Sequence, residues 1–228
     1  MTNQPEHPPL SPLVQKFINE FARKYSPNFT IRNKAHKDGL YAVASFFGKI
    51  FNPEIDTRYL TQVLHECWLP PHMFEKDDIS LITTLAHETM HERDRKEWTS
   101  VGTLLLYGFP QILAVFSLLS ILAIWFGLGW LFCLGFLLFL LPFPAPGRMW
   151  MELRAYRVNM LFIREVLKAD ENYQRGMAVH YSQQYTGPAY FFMWPFKNHI
   201  IHLLLTQKPH PYYDDLRAWL RANGVLIP

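Results

Sequence analysis

With 228 residues, the chain has room for one domain, or one domain plus a membrane element, around a real core. Its formal charge of +3, without a dense Lys/Arg block, excludes an electrostatic case for nucleic acid and suits an anionic membrane surface better. Half of the residues are hydrophobic although the mean hydropathy is −0.03, so the apolar residues must be concentrated in part of the chain.

In chain order, Met1 to Leu13 is polar and proline-rich and lacks an apolar core, which predicts no cleaved signal and a cytoplasmic first segment. Ser11-Pro12 is a helix start, and Val14, Phe17, Ile18 and Phe21 follow at helical spacing, predicting an amphipathic helix to about Lys24. Residues 28–70 carry short β-prone runs, Phe29 to Arg32, Tyr41 to Phe47 and Tyr59 to Leu64, with turn signals at Asp38-Gly39 and Asn52-Pro53. They are expected to form a small sheet. Asp77 or Asp78 caps a second helix, with Ile79, Ile82, Ala86 and Met90 on one face, that runs to about Trp98.

From Trp98 to Gly147 there are fifty consecutive residues without Asp, Glu, Lys, Arg or His. A helix crosses the hydrocarbon core in roughly 20 residues, so this run fits a two-pass hairpin turning at Gly127-Leu128-Gly129. The second arm, about Trp130 to Pro142, is short for a full span, which keeps a tilted or re-entrant hairpin open. Arg93, Arg95 and Lys96 precede the run and Arg148, Arg154 and Arg157 follow it, which places both ends on the cytoplasmic side. A third helix is expected from about Arg148 to Ala169, followed by helical and irregular chain with an aromatic patch from Tyr190 to Phe196. Cys67 lies in polar and Cys133 in apolar surroundings, so no disulfide and a reducing compartment are expected.

The second helix carries His87-Glu88-Thr89-Met90-His91. Positions i and i+4 share a helix face, so His87 and His91 can present two imidazoles to one metal ion. Glu88 lies beside that face, where it can act as a general base. Random order would produce roughly 0.02 matches to this pattern in such a chain. Catalytic zinc takes three protein ligands and keeps one position open. Glu152, on the third helix, is the best third ligand; in isolation a solvated glutamate beside Arg148 and Arg154 is an equal reading. A two-pass hairpin breaks that tie, because it returns Glu152 to the side that holds His87 and His91.

The order His87-Glu88-x-x-His91, apolar hairpin, Glu152-Leu153-Arg154-Ala155 resembles the HtpX-type and CAAX-prenyl-protease-type membrane zinc peptidases. These gluzincins pair HExxH with a downstream E-x-x-A-D. Pro209-His210-Pro211-Tyr212-Tyr213-Asp214-Asp215-Leu216-Arg217 is similar to the family's C-terminal His-Pro…Arg segment, and the resemblance covers roughly residues 75–221. Tyr156 stands where the family has aspartate, Arg217 sits one place late, and the family's N-terminal membrane helices have no counterpart. The resemblance implies Zn2+ held by His87, His91 and Glu152, with Glu88 as general base. It also needs an oxyanion stabiliser, for which Tyr156, His180, His202, His210 and Arg217 are candidates. Asp94 is either an orienting group for a ligand or a helix-surface carboxylate among Arg93 and Arg95. His65, Cys67 and His72 match no established metal spacing.

The expected fold is α+β and mostly helical, a zincin-like metallopeptidase domain interrupted by a transmembrane or re-entrant hairpin. Residues 1–98 and 148–228 would form the catalytic domain and 99–147 the hairpin. The expected partners are a protein or peptide substrate and a lipid bilayer, and no nucleic acid. The rival expectation is a membrane-inserting or anchoring component of a larger assembly, such as a virus particle or secretion machine, with a vestigial or auxiliary zinc site.

Overall fold

The computed structural model describes residues 9–36, 41, 42, 45, 61–63, 65–190, 192–206 and 208–226, and these are mostly helical with one small sheet. The chain divides into two compact units. The first comprises Met1–Lys96, Glu165–Leu167 and Pro209–Pro228; the second comprises Glu97–Arg164 and Lys168–Lys208.

In the first unit, α1 begins at Pro12 and runs through Pro12–Lys16, a π-wound turn Phe17–Ala22, and Arg23–Tyr25. Ser11 caps it, its hydroxyl accepting from the Val14 amide at 3.2 Å, and Pro12 occupies the first position, where no amide is needed. The strands are β1 (Thr30–Asn33), β2 (Thr61–Val63) and β3 (Glu66–Leu69), in the order β1-β3-β2. β1 runs parallel to β3 with Ile31 beside Cys67, and β2 runs antiparallel to it with Gln62 opposite Cys67.

The expected β run at 41–47 is corrected: Tyr41, Ala42 and Ser45 are helical, while 43, 44, 46 and 47 lie outside the described residues. The turn signals Asp38-Gly39 and Asn52-Pro53 also lie outside them. Tyr41 stacks on Trp68 with ring centroids 4.4 Å apart, so its ring serves packing against β3 and not strand pairing.

Helix α2 spans Asp78–Trp98. Asp77 is its cap, accepting from the Ser80 amide at 2.9 Å and from the Ser80 hydroxyl at 2.6 Å. Leu81, Ile82, Leu85, Ala86, Thr89 and Met90 are buried along it. Helix α8 (Pro211–Ala222) buries Tyr212, Tyr213, Leu216, Trp219 and Leu220. Its Trp219 meets Phe17 edge-on at 5.1 Å, and its indole N–H donates to Glu20 at 3.1 Å, tying α8 to α1.

The second unit opens with α3 (Ser100–Gly108), capped by the Thr99 hydroxyl. After the cis Phe109–Pro110 bond the chain bends by 91° into Gln111–Leu122, wound as a 3-10 helix, and α4 (Ala123–Phe126). Gly127 turns the chain at φ 97°, a conformation that suits glycine, and Leu128–Leu140 returns as a second 3-10 arm. At about 2.0 Å rise per residue, that 13-residue arm is about 26 Å long. The arms pack together at Phe116 and Phe136, and Ala114, Ser117 and Cys133 are buried. Among the described residues no single helix is long and apolar enough to cross a membrane; the bent pair Ser100–Gly108 with Gln111–Phe126 passes that test together. Both cysteines are free.

Helix α5 (Pro146–Leu161) continues as a π turn over Phe162–Val166, in place of the regular helix expected to about Ala169. It is buried on nearly every side and forms the axis of this unit. Around it lie α6 (Glu171–Thr186), capped by Asp170, and α7 (Lys197–Leu205). Their shared core includes Met149, Leu153, Tyr156, Met160, Ala178, Tyr185, Ile200 and Leu204. Arg154 and Arg157 are buried here and are not surface cations beside a bilayer. Arg157 donates to the Leu203 carbonyl at 3.0 and 2.8 Å, satisfying the end of α7, and Arg154 lies 3.7 Å over the Trp150 ring. The positive flank after the hairpin therefore reduces to Arg148.

Candidate metal centre

The motif helix is pinned from α8. Tyr212 donates its hydroxyl to the Ala86 carbonyl at 2.6 Å, one residue before His87, and burial pushes the Tyr212 phenol well above its ordinary pKa. About two turns further along, Arg93 donates to His210 Nε2 at 2.9 Å, and His210 Nδ1 lies 3.3 Å from the Tyr212 amide nitrogen. A neutral imidazole accepts at only one nitrogen, so with Nε2 accepting from Arg93 the Nδ1 carries the proton and does not accept from that amide. The His-Pro segment thus acts on α2 through an arginine and a backbone carbonyl.

His87 and His91 stand on one face of α2, their ring centroids 5.2 Å apart at 74°; His87 is buried and His91 half-buried. Glu88, half-buried, lies close enough to Cys67 on β3 that its charge adds to the effect of burial in raising the Cys67 thiol pKa. Glu152 is buried on α5, where it accepts from the Tyr107 hydroxyl at 2.9 Å. His87, His91 and Glu152 each offer one ligand atom, and these atoms all lie within 4.8 Å of one another, a group that could hold a metal ion.

Donors about 2.1 Å from a tetrahedral ion stand about 3.4 Å from each other, so ligand atoms within 4.8 Å of one another would close by up to about 1.4 Å around an ion. Two imidazoles and one carboxylate are also the chemistry that zinc accepts at a three-ligand site. The solvated-surface alternative for Glu152 is excluded, since its side chain is buried.

Of the other candidates, Asp94 is fully buried, which overturns its reading as a helix-surface carboxylate. Tyr156 is buried among the rings of Tyr181 and Tyr185, with its hydroxyl 3.4 Å from that of Tyr190. Arg217 is committed to carboxylates: it meets Glu165 through Nε and a terminal nitrogen and Asp214 at 2.9 Å, contacts that hold its charge firmly. His180 and His202 are exposed.

His65 carries no metal group with Cys67 and His72 among the described residues. Its Nδ1 instead meets Ser26 Oγ at 3.0 Å and Glu92 at 2.8 Å. Both contacts fall on one ring nitrogen, so this is not the relay geometry of a serine triad. Tyr107 is the functional neighbour that sequence reasoning missed, because a single tyrosine in an apolar run carries no signal of its partner.

Compared with protein-family models, with curated proteins and with solved structures, the chain has no match in any of the three.

Proposed function

We propose that the protein is a membrane-bound zinc metalloendopeptidase that hydrolyses peptide bonds of proteins at the cytoplasmic membrane face. The observation that carries this reading is the convergence of His87, His91 and Glu152 ligand atoms within 4.8 Å, with Glu88 next in sequence to His87. His87, His91 and Glu152 would hold the ion. Bound there, zinc supplies a Lewis acid that polarises a peptide carbonyl and makes water more acidic. Glu88 takes a proton from the attacking water and returns it to the departing amine.

The bilayer part of the reading rests on the apolar hairpin. Ile124, Trp125, Phe126, Leu128 and Phe132 are about 70–80% exposed, at 75%, 69%, 71%, 78% and 72%, far from what water tolerates in a contiguous patch. An arm of about 26 Å approaches the roughly 30 Å hydrocarbon core, because 3-10 winding gains length per residue. The same exposure favours the rival reading, an insertion module with an auxiliary metal site.

Metal content of the purified protein tests the proposal, beside Glu152→Ala and the double change His87→Ala, His91→Ala. About one zinc per chain, lost in both variants, supports the three-ligand site. No zinc in the parent after incubation with the metal sinks the peptidase reading. Zinc bound without hydrolysis of any unfolded protein substrate favours the insertion module.

A further inference from the structure

The geometry points to Tyr107, at the end of α3, as the positioning residue of Glu152, a role that rests on the metal-site reading above. Its hydroxyl donates to Glu152 Oε1 at 2.9 Å, and a phenol held against one carboxylate oxygen fixes the plane in which the other can face an ion.

Three further observations show that Tyr107 is itself held. Arg148 donates to the Tyr107 carbonyl at 3.0 Å and to the Tyr190 carbonyl at 3.3 Å. The Arg148 guanidinium lies 5.0 Å from the centre of the Tyr107 ring. Gly147 admits the backbone of α3 to the start of α5: a Cβ there would lie 2.3 Å from the Leu106 carbonyl oxygen and 2.8 Å from Leu106 Cγ. The Leu106 and Tyr107 carbonyls sit at the helix end where Pro110 offers no amide and the chain bends by 91°. Arginine and glycine therefore complete a helix terminus, and that terminus carries the phenol to Glu152. The resembled family has aspartate at the position of Tyr156; here the support for a ligand comes from the other end of the apolar segment.

The experiment is a Co2+ titration of the metal-free full-length protein in bilayer discs, followed by visible absorption, for the parent, Tyr107→Phe and Tyr190→Phe. Tyr190 is partly buried, with its phenol near Glu152 and Tyr107, and is the control for loss of a neighbouring phenol. The expected result is a 10- to 100-fold weaker affinity and an altered Co2+ spectrum in Tyr107→Phe alone, with the metal-free protein still folded and its thermal midpoint lowered by no more than loss of one hydrogen bond accounts for. Parent-like affinity and spectrum in Tyr107→Phe, or the same loss in Tyr190→Phe, overturns the positioning role and leaves the metal site standing. A parent that binds no Co2+ overturns the metal site itself and the positioning role with it.

Discussion

The Tyr212 hydroxyl donates to the Ala86 carbonyl at 2.6 Å, so the C-terminal helix grips the motif helix at the residue before its first histidine. Tyr212→Phe keeps the ring contacts with Phe21 and Tyr25 and removes the hydroxyl that bonds the Ala86 carbonyl and meets Thr89 on the same helix. The expected loss is about 1 kcal/mol of stability, read by urea denaturation. A loss under a few tenths would mean that the bond does not hold α2.

Glu88→Gln separates metal binding from chemistry. The amide cannot accept a proton from water, while the three ligands stay in place. Zinc content is expected to remain near that of the parent and hydrolysis of a protein substrate to fall by about 10²- to 10⁴-fold. Activity retained in this variant would assign the base elsewhere.

Phe17 anchors α1 to α8. It is fully buried, stacked with Phe21 at 5.2 Å and edge-on to Trp219 at 5.1 Å. Phe17→Ala is expected to cost about 3–5 kcal/mol, the range for deleting a buried aromatic ring, measured by thermal or urea unfolding.

The hairpin tip is where charge should matter most for the bilayer. Phe126 and Leu128 flank Gly127 and are 71% and 78% exposed. Replacing both with Glu adds two charges at a point expected to lie in hydrocarbon, each costing roughly 2.5–3.5 kcal/mol there. Flotation with phosphatidylcholine–phosphatidylserine vesicles should lose the variant to the soluble fraction. Flotation equal to the parent would place the tip outside the hydrocarbon.

Asp215 links stability to acid. Hydrogen bonds from Lys24 first, and from Tyr25 second, hold its carboxyl below the ordinary value. A depressed folded-state pKa gives stability that is full above the unfolded value, about 3.9, and is lost as pH falls through the folded value. Lys24→Met should therefore lower stability near pH 6 and narrow its difference from the parent below about pH 4, in denaturation series across that range.

Much of the local architecture was legible because its causes are local. Ser11-Pro12 and Asp77 announce helix starts through side chains that accept from an amide three residues on. β3 was not legible: Glu66, Cys67, Trp68 and Leu69 do not alternate, since a central strand buries both faces. Tyr41 has strand propensity, yet it is helical with Ala42 and Ser45 and its ring packs on Trp68. Arg154 and Arg157 looked like flanking cations, because charge alone does not tell a bilayer rim from a buried arginine that caps a helix.

By itself the sequence determined the spacing of His87, Glu88 and His91 and the fifty-residue run without charge. Helical geometry places i and i+4 together wherever the helix lies, and hydropathy is a property of composition. Only the tertiary structure decided that Tyr107 meets Glu152, 45 residues away, that Arg93 meets His210, 117 away, and that Arg217 meets Glu165, 52 away. Those pairings depend on the path of the intervening chain, and no local periodicity encodes it.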